Sequence, residues 1–181
     1  MRSSRPSGFT LVELLVVIGI IALLAAILLP VVQGIFKNAD ILKAKNEVQE
    51  IRKAVEAYYN TYGRLPIVPS SEDVTLSEAD SRKVIRILTS VPGDNDAKTA
   101  NPKEKIFLEL KEINKDGIML DPWETQYRMR LDKDLDGRID FKSVLTASRS
   151  VVISFGPNRV EETNMKPTRP EDYDDITSLG Q

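Results

Sequence analysis

Carboxylates carry the clearest chemical potential in this chain. Asp132, Asp134 and Asp136 alternate along Asp132-Lys133-Asp134-Leu135-Asp136-Gly137-Arg138-Ile139-Asp140. This fits a D-x-D-x-D-G pattern with an apolar residue at the eighth loop position. In calcium loops of the EF-hand type, carboxylates at positions 1, 3 and 5 supply oxygens, and glycine at position 6 allows a sharp turn. Asp140 falls at position 9. Three aspartates on one tight loop repel each other, and a hard cation relieves that repulsion. Position 12 is Ser143 instead of a bidentate glutamate, and the flanks read as strands. The loop is therefore expected to bind in the millimolar-to-micromolar range, outside a helix–loop–helix frame. Asp-Gly is also a hairpin signal, so solvated carboxylates on a plain turn are the alternative.

Glu13 is the second unusual residue. It opens an apolar run in which no charged residue follows from Leu14 to Phe36. A charge within hydrocarbon costs several kcal/mol. Glu13 must either snorkel to the headgroups or find a cationic partner. The 181 residues include no histidine and no cysteine, and the net charge is −2. Imidazole bases, Ser-His-Asp triads, thiolate nucleophiles, disulfides and Cys- or His-ligated metals are thereby excluded. The balanced charge argues against a nucleic-acid partner. A hydrolase built on paired carboxylates would need environments that push two pKa values apart, and the acidic clusters lie in loops without an evident apolar pocket.

These residues need elements to position them. The leader MRSSRPSG carries Arg2 and Arg5 and precedes FTLVELLVVIGIIALLAAILLP. About 20 helical residues span roughly 30 Å of hydrocarbon. The basic leader predicts a cytoplasmic N-terminus and the bulk of the chain outside. A cleaved secretory signal would have a shorter apolar core and an A-x-A-like site, which Ala25-Ala26-Ile27-Leu28-Leu29-Pro30 does not supply. A plain signal anchor leaves Glu13 unexplained. Pro30 is expected to kink the helix.

From Asn38 to Tyr62, apolar residues at Ile41, Ala44, Val48, Ile51, Val55, Tyr58 and Tyr62 mark an amphipathic helix. Gly63 reads as its C-cap and Pro66 as its stop. With no linker, the two segments form one helix of about 50 residues. Residues 67–104 read as loop-rich, with a helix from Ser77 to Leu88 capped by Ser77 and buried through Val84, Ile85 and Leu88. The stretch VPGDNDAKTANP reads as turns, and Ile106–Leu110 is apolar without a clear type. Tyr127–Leu131, Arg138–Phe141 and Ser150–Phe155 read as three strands of one antiparallel sheet. The fold class is α+β: a long N-terminal helix, half transmembrane and half amphipathic, packed against a small antiparallel sheet.

The string Gly8-Phe9-Thr10-Leu11-Val12-Glu13, between a basic leader and a long apolar helix containing Pro30, resembles the type IV prepilin signature. The resemblance implies cleavage after Gly8 by a prepilin peptidase, N-methylation of Phe9, and a role for Glu13 in assembly. Pairing of Glu13 with a neighbour's Phe9 ammonium is attractive by about 4 kcal/mol at an effective dielectric of 20, before desolvation is subtracted. It would fix register more than it stabilises. Family helices can melt around the proline equivalent to Pro30, giving extensibility.

Tyr62-Gly63-Arg64-Leu65-Pro66, Asp121-Pro122-Trp123 and Ser154-Phe155-Gly156 are similar to segments of the type II secretion major pseudopilins, the general secretion pathway protein G family. Glu124 stands where that family usually has glycine, and Phe155 where it has leucine. The same resemblance implies a calcium site in the C-terminal loop, with Asp172, Asp174 or Asp175 as ligands beside carbonyls of residues 154–157.

The expected organisation is a leader at 1–8, a transmembrane or filament-core helix at 9–36, and an amphipathic spine at 37–66. A variable region at 67–120 and a C-terminal sheet with acidic loops at 121–181 follow. The implied role is that of a non-enzymatic subunit of a pseudopilus. Its partners would be further copies of itself, other pseudopilins, the peptidase/methylase and an inner-membrane secretion platform. The chain would cross the inner membrane once, with a periplasmic head. The alternatives are a minor pseudopilin, a type IV or competence pilin, or a membrane-anchored calcium-binding module.

Overall fold

The computed structural model describes residues 10–67, 75–109, 118–132, 134–141, 144–161 and 174–179, and at Pro30, Val31 and Gln33 the backbone alone. Helix α1 runs from Leu11 to Tyr62, 52 residues, and its helical backbone continues through Pro30 without a break. It ends as expected: Gly63 adopts φ +66, and its N–H donates to the Tyr59 carbonyl at 2.7 Å. Two units divide the chain, residues 1–40 and 41–181.

In the first unit every described side chain from Leu11 to Phe36 is exposed. This is the one helix among the described residues long and apolar enough to cross a membrane, judged by length and composition.

The second unit holds the core. Ala44, Val48, Ile51, Val55 and Tyr58 are buried at spacings of three and four, the stripe the sequence predicts. Helix α2, Glu78–Thr89, packs Val84, Ile85, Ile87 and Leu88 into the same core. Ser77 caps it, its Oγ accepting from the Asp80 N–H at 3.1 Å. Helix α3, Asn95–Ala100, occupies the stretch that reads as turns. Its nucleus is Asp94, whose Oδ1 accepts from the N–H groups of Asp96 and Ala97. Asn101, buried after α3, donates through Nδ2 to the carbonyls of Ile87 and Lys105 and accepts from the Tyr62 hydroxyl. The variable region is thus tied to both helices. Ile106–Glu109 is neither helix nor strand, and the Phe107 and Leu108 N–H groups donate to the Leu88 carbonyl.

The sheet differs from the expected one. Strands β1 (Arg128–Leu131), β4 (Ser150–Ser154) and β5 (Ile176–Thr177) form an antiparallel sheet in the order β1-β4-β5. The expected second strand is β2, Ile139–Phe141, and it leaves this sheet to pair with β3, Val144–Thr146, as a separate hairpin. Pairing explains the change. Met129 lies opposite Val152 and both face the helix core, whereas Arg130 lies opposite Val151 on the other side. There Val151 and Ile153 meet Ile139 and Phe141 of the hairpin in a second apolar cluster. The hairpin therefore covers the sheet face instead of extending its edge. β4 is buried at all five residues, which is why it reads as an uninterrupted apolar run. β1 is likewise more buried than its alternation suggests. Arg130 is buried with its guanidinium 5.3 Å from the Phe141 ring centre, donating to Thr75 Oγ1 and the Asp140 carbonyl. The edge of β1 is closed by Leu76, whose N–H donates to the Met129 carbonyl.

Candidate assembly end and acidic loops

Thr10 and Glu13 close the start of α1 together. The Glu13 N–H donates to Thr10 Oγ1 at 3.2 Å, while Glu13 Oε2 accepts from the Thr10 N–H at 2.9 Å and from its hydroxyl at 2.8 Å. This is a capping box, in which residues three apart satisfy each other's orphan donors. Thr10-Leu11-Val12-Glu13 spells the T-x-x-E signal of such a box. Gly8 and Phe9 lie outside the described residues. Beyond the cap, the apolar helix offers no polar side chain able to catalyse or coordinate until Gln33.

The acidic loop after β1 forms a partial cluster. Asp132 is fully buried, with its N–H donating to the Arg149 carbonyl at 3.0 Å, which continues the strand pairing by one residue. Its Oδ2 accepts from the Gly137 N–H at 2.8 Å. Gly137 sits at φ +83, so the turn needs glycine at loop position 6. Asp134 Oδ1 accepts from the Asp136 N–H, and Asp136 Oδ1 from the Arg138 N–H. One carboxylate oxygen from each of Asp132, Asp134 and Asp136 lies within 4.8 Å of the others. Burial, helped by the neighbouring Asp134, holds the Asp132 carboxyl above the usual carboxylate range. Asp140 does not join them. Its pairing within β2 turns the side chain to solvent, opposite Ile139 and Phe141. Ser143 lies outside the described residues.

The C-terminal loop comes back against β4. Gly156, at φ +67, lies so close to Asp174 that an added Cβ would meet the Asp174 carbonyl oxygen at 2.2 Å. Asp174 Oδ2 accepts from the Asn158 N–H, and Asp175 is buried. Asp174 therefore stands beside Gly156 and Asn158. Asp172 lies outside the described residues.

The Asp121-Pro122-Trp123 segment is a structural turn. Asp121 is buried and its carboxylate accepts from the N–H groups of Trp123 and Thr125 and from the hydroxyls of Thr125 and Ser154. It fastens the approach to β1 onto the end of β4. On the helix face of β1, the buried Tyr127 hydroxyl donates to Glu47 Oε2. Burial pushes both groups up, Glu47 above the usual carboxylate range and Tyr127 well above the usual phenol range.

Comparison with known proteins gives these features a family. The chain is 33% identical over 103 residues to the fimbrial protein EcpC of Eikenella corrodens, covering 57% of this chain and 67% of that one. The chain belongs to the pilin-like proteins. Residues 3–29 of this pilin-like chain match the prokaryotic N-terminal methylation motif, a span that holds Gly8, Phe9, Thr10 and Glu13. Over a longer stretch it is similar to the type II secretion system core protein G of Aeromonas hydrophila, 27% identical over 144 residues, 80% of this chain and 85% of that one. The core protein G of Klebsiella pneumoniae is 26% identical over 160 residues, 88% of this chain and 91% of that one. No solved structure matches. The pilin-like fold expected from sequence, a long N-terminal helix with a small antiparallel sheet, is the one observed.

Proposed function

We propose that the chain is a structural subunit of a type II secretion pseudopilus. One observation carries this reading: an apolar helix exposed on all sides, headed by Glu13 within a prepilin methylation motif. Such a surface needs burial in lipid or against other helices. Alignment length favours the core protein G group, since those relatives run through the head whereas the fimbrial alignment covers 57% of the chain. In this reading a prepilin peptidase cuts after Gly8, and the new terminus, Phe9, is methylated. The N-terminus is cytoplasmic before cutting, and the head stands in the periplasm. The subunit polymerises with its own kind and other pseudopilins on an inner-membrane platform and performs no catalysis.

The capping box is compatible with an assembly role for Glu13. A carboxylate has about four lone-pair sites, and among the described residues Thr10 uses two, both on Oε2. One side chain can then order its own helix start and receive a neighbour's ammonium.

The deciding experiment is intact mass and N-terminal sequencing of the protein from its native membrane, with Glu13→Ala examined for filament assembly. A chain beginning at N-methylated Phe9, and loss of filaments in the variant, are the expected results. A chain retaining Met1 in cells with active peptidase overturns the proposal. The fimbrial similarity supports a second reading as a type IV pilin. Deletion distinguishes them: a secretion defect without loss of surface fimbriae points to the pseudopilus.

A further inference from the structure

Asp132 presents an electrostatic problem that the described protein groups do not solve. The residue is fully buried, and while Oδ2 is held by Gly137, Oδ1 is buried with no hydrogen-bond partner among the described residues. Leaving a charged acceptor in that state is costly, because its water is removed and nothing replaces it. Two further carboxylates, Asp134 and Asp136, converge on it, with oxygens of all three within 4.8 Å. No ion pair among the described residues involves any of the three. The backbone keeps Asp132 in place, because its N–H is locked to Arg149 and its carboxylate to Gly137. Relaxing the repulsion by rotating the Asp132 side chain outward would break its bond to the Gly137 N–H and open the turn.

We infer that the loop joining β1 to β2 is a calcium site, with Asp132, Asp134 and Asp136 as its carboxylate ligands. All donors are hard oxygens, which select calcium or magnesium over softer metals. Calcium–oxygen distances of about 2.3–2.6 Å make its shell about 4.6–5.2 Å across, whereas an octahedral magnesium shell is about 4.2 Å across. Oxygens that all lie within 4.8 Å of one another can reach one calcium ion together. Asp134 and Asp136 are exposed, so the ion enters from solvent and water completes the shell. Lacking a bidentate glutamate, the site binds with Kd of about 10⁻⁵–10⁻³ M. Bound calcium joins the end of β1 to the start of the β2–β3 hairpin, coupling the sheet to its cover.

The test uses the full chain in detergent, stripped with chelator and titrated with calcium chloride by calorimetry, with magnesium chloride in parallel. One calcium per chain in that Kd range is expected, with magnesium at least tenfold weaker. The double variant Asp134→Asn/Asp136→Asn changes two exposed residues and should keep its far-ultraviolet circular dichroism while losing at least tenfold in affinity. Asp174→Asn should bind as the parent does. Absence of both heat and a Tm shift up to about 10 mM calcium, beyond the weak end of such loops, overturns the inference. So does unchanged affinity in the double variant, or loss of binding in Asp174→Asn alone.

Discussion

Glu124 occupies a backbone conformation at φ +65 that L side chains adopt at a cost of roughly 1–2 kcal/mol, and its ion pair with Arg159, at 3.5 Å, is exposed. Glu124→Gly should therefore stabilise the head by about 0.5–1 kcal/mol, the entropy of the unfolded glycine offsetting part of the relief. Chemical denaturation of the two proteins side by side measures this, and a lower midpoint for the variant contradicts it. The departure from the family's glycine was visible in the sequence; the positive φ that gives it meaning was not. Glu13 shows the converse. Its capping partner, Thr10, is legible three residues upstream, an ordinary local bond within an unusual setting. Glu47 and Tyr127, 80 positions apart, could not be paired from sequence, because only the docking of β1 on α1 brings them together. Burial raises the Glu47 pKa above its ordinary value near 4.5, so the folded state holds that proton to higher pH than the unfolded chain does. This group's contribution to stability consequently falls as pH rises above about 4.5 and levels off past the raised folded value. Glu47→Gln retains an acceptor for Tyr127 and removes the titration. Thermal melts from pH 4 to 8 should show a flatter stability profile for the variant over that window.

Among the elements, β4 organises the head. Val152 faces the helix core, while Val151 and Ile153 face the hairpin. The continuous apolar run from Val151 to Ile153 announces burial on two sides, but three strands still read as one layer, because pattern alone does not say which strand lies above which. Helix α3 is hard to read for a simpler reason: six residues are too few to show a helical period, half of them, Asn95, Asp96 and Thr99, have weak helical propensity, and tertiary bonds from Tyr58 and Asn101 hold that segment in place. The α1 stripe and the Ser77 cap were legible because each rests on local periodicity or a single side chain. The return of the C-terminal segment depends on Gly156. A methyl group there meets both an unfavourable φ of +67 and the Asp174 carbonyl oxygen at 2.2 Å. Gly156→Ala should destabilise the head by about 2–4 kcal/mol, and hydrogen exchange at Ile176 and Thr177 should accelerate more than at Met129. Equal acceleration at all three would show that β5 docking does not depend on that contact.

At the scale of the whole chain, the two units have different sources of stability. Among the described residues, every buried side chain of α1 lies at Ala44 or beyond, within the second unit. A chain starting at Asn38 should be soluble without detergent and melt within about 3 °C of the full chain in micelles. Aggregation or loss of cooperative melting in the short chain would show that the apolar half contributes to the head's fold.

The distribution of apolar side chains along α1 also sets how many neighbours each half can have. From Ala44 to Tyr58 a single stripe is buried and the opposite face is polar, so that half is saturated by one partner, its own head. From Leu11 to Phe36 no azimuth is polar enough to stay in water. A helix with one apolar stripe has a valence of one and stops at a pair; a helix apolar in every direction can be ringed by neighbours and has no geometric reason to stop. A capacity for open-ended bundling in the first half, and a closed second half, are thus two consequences of the same helix changing its pattern near residue 40.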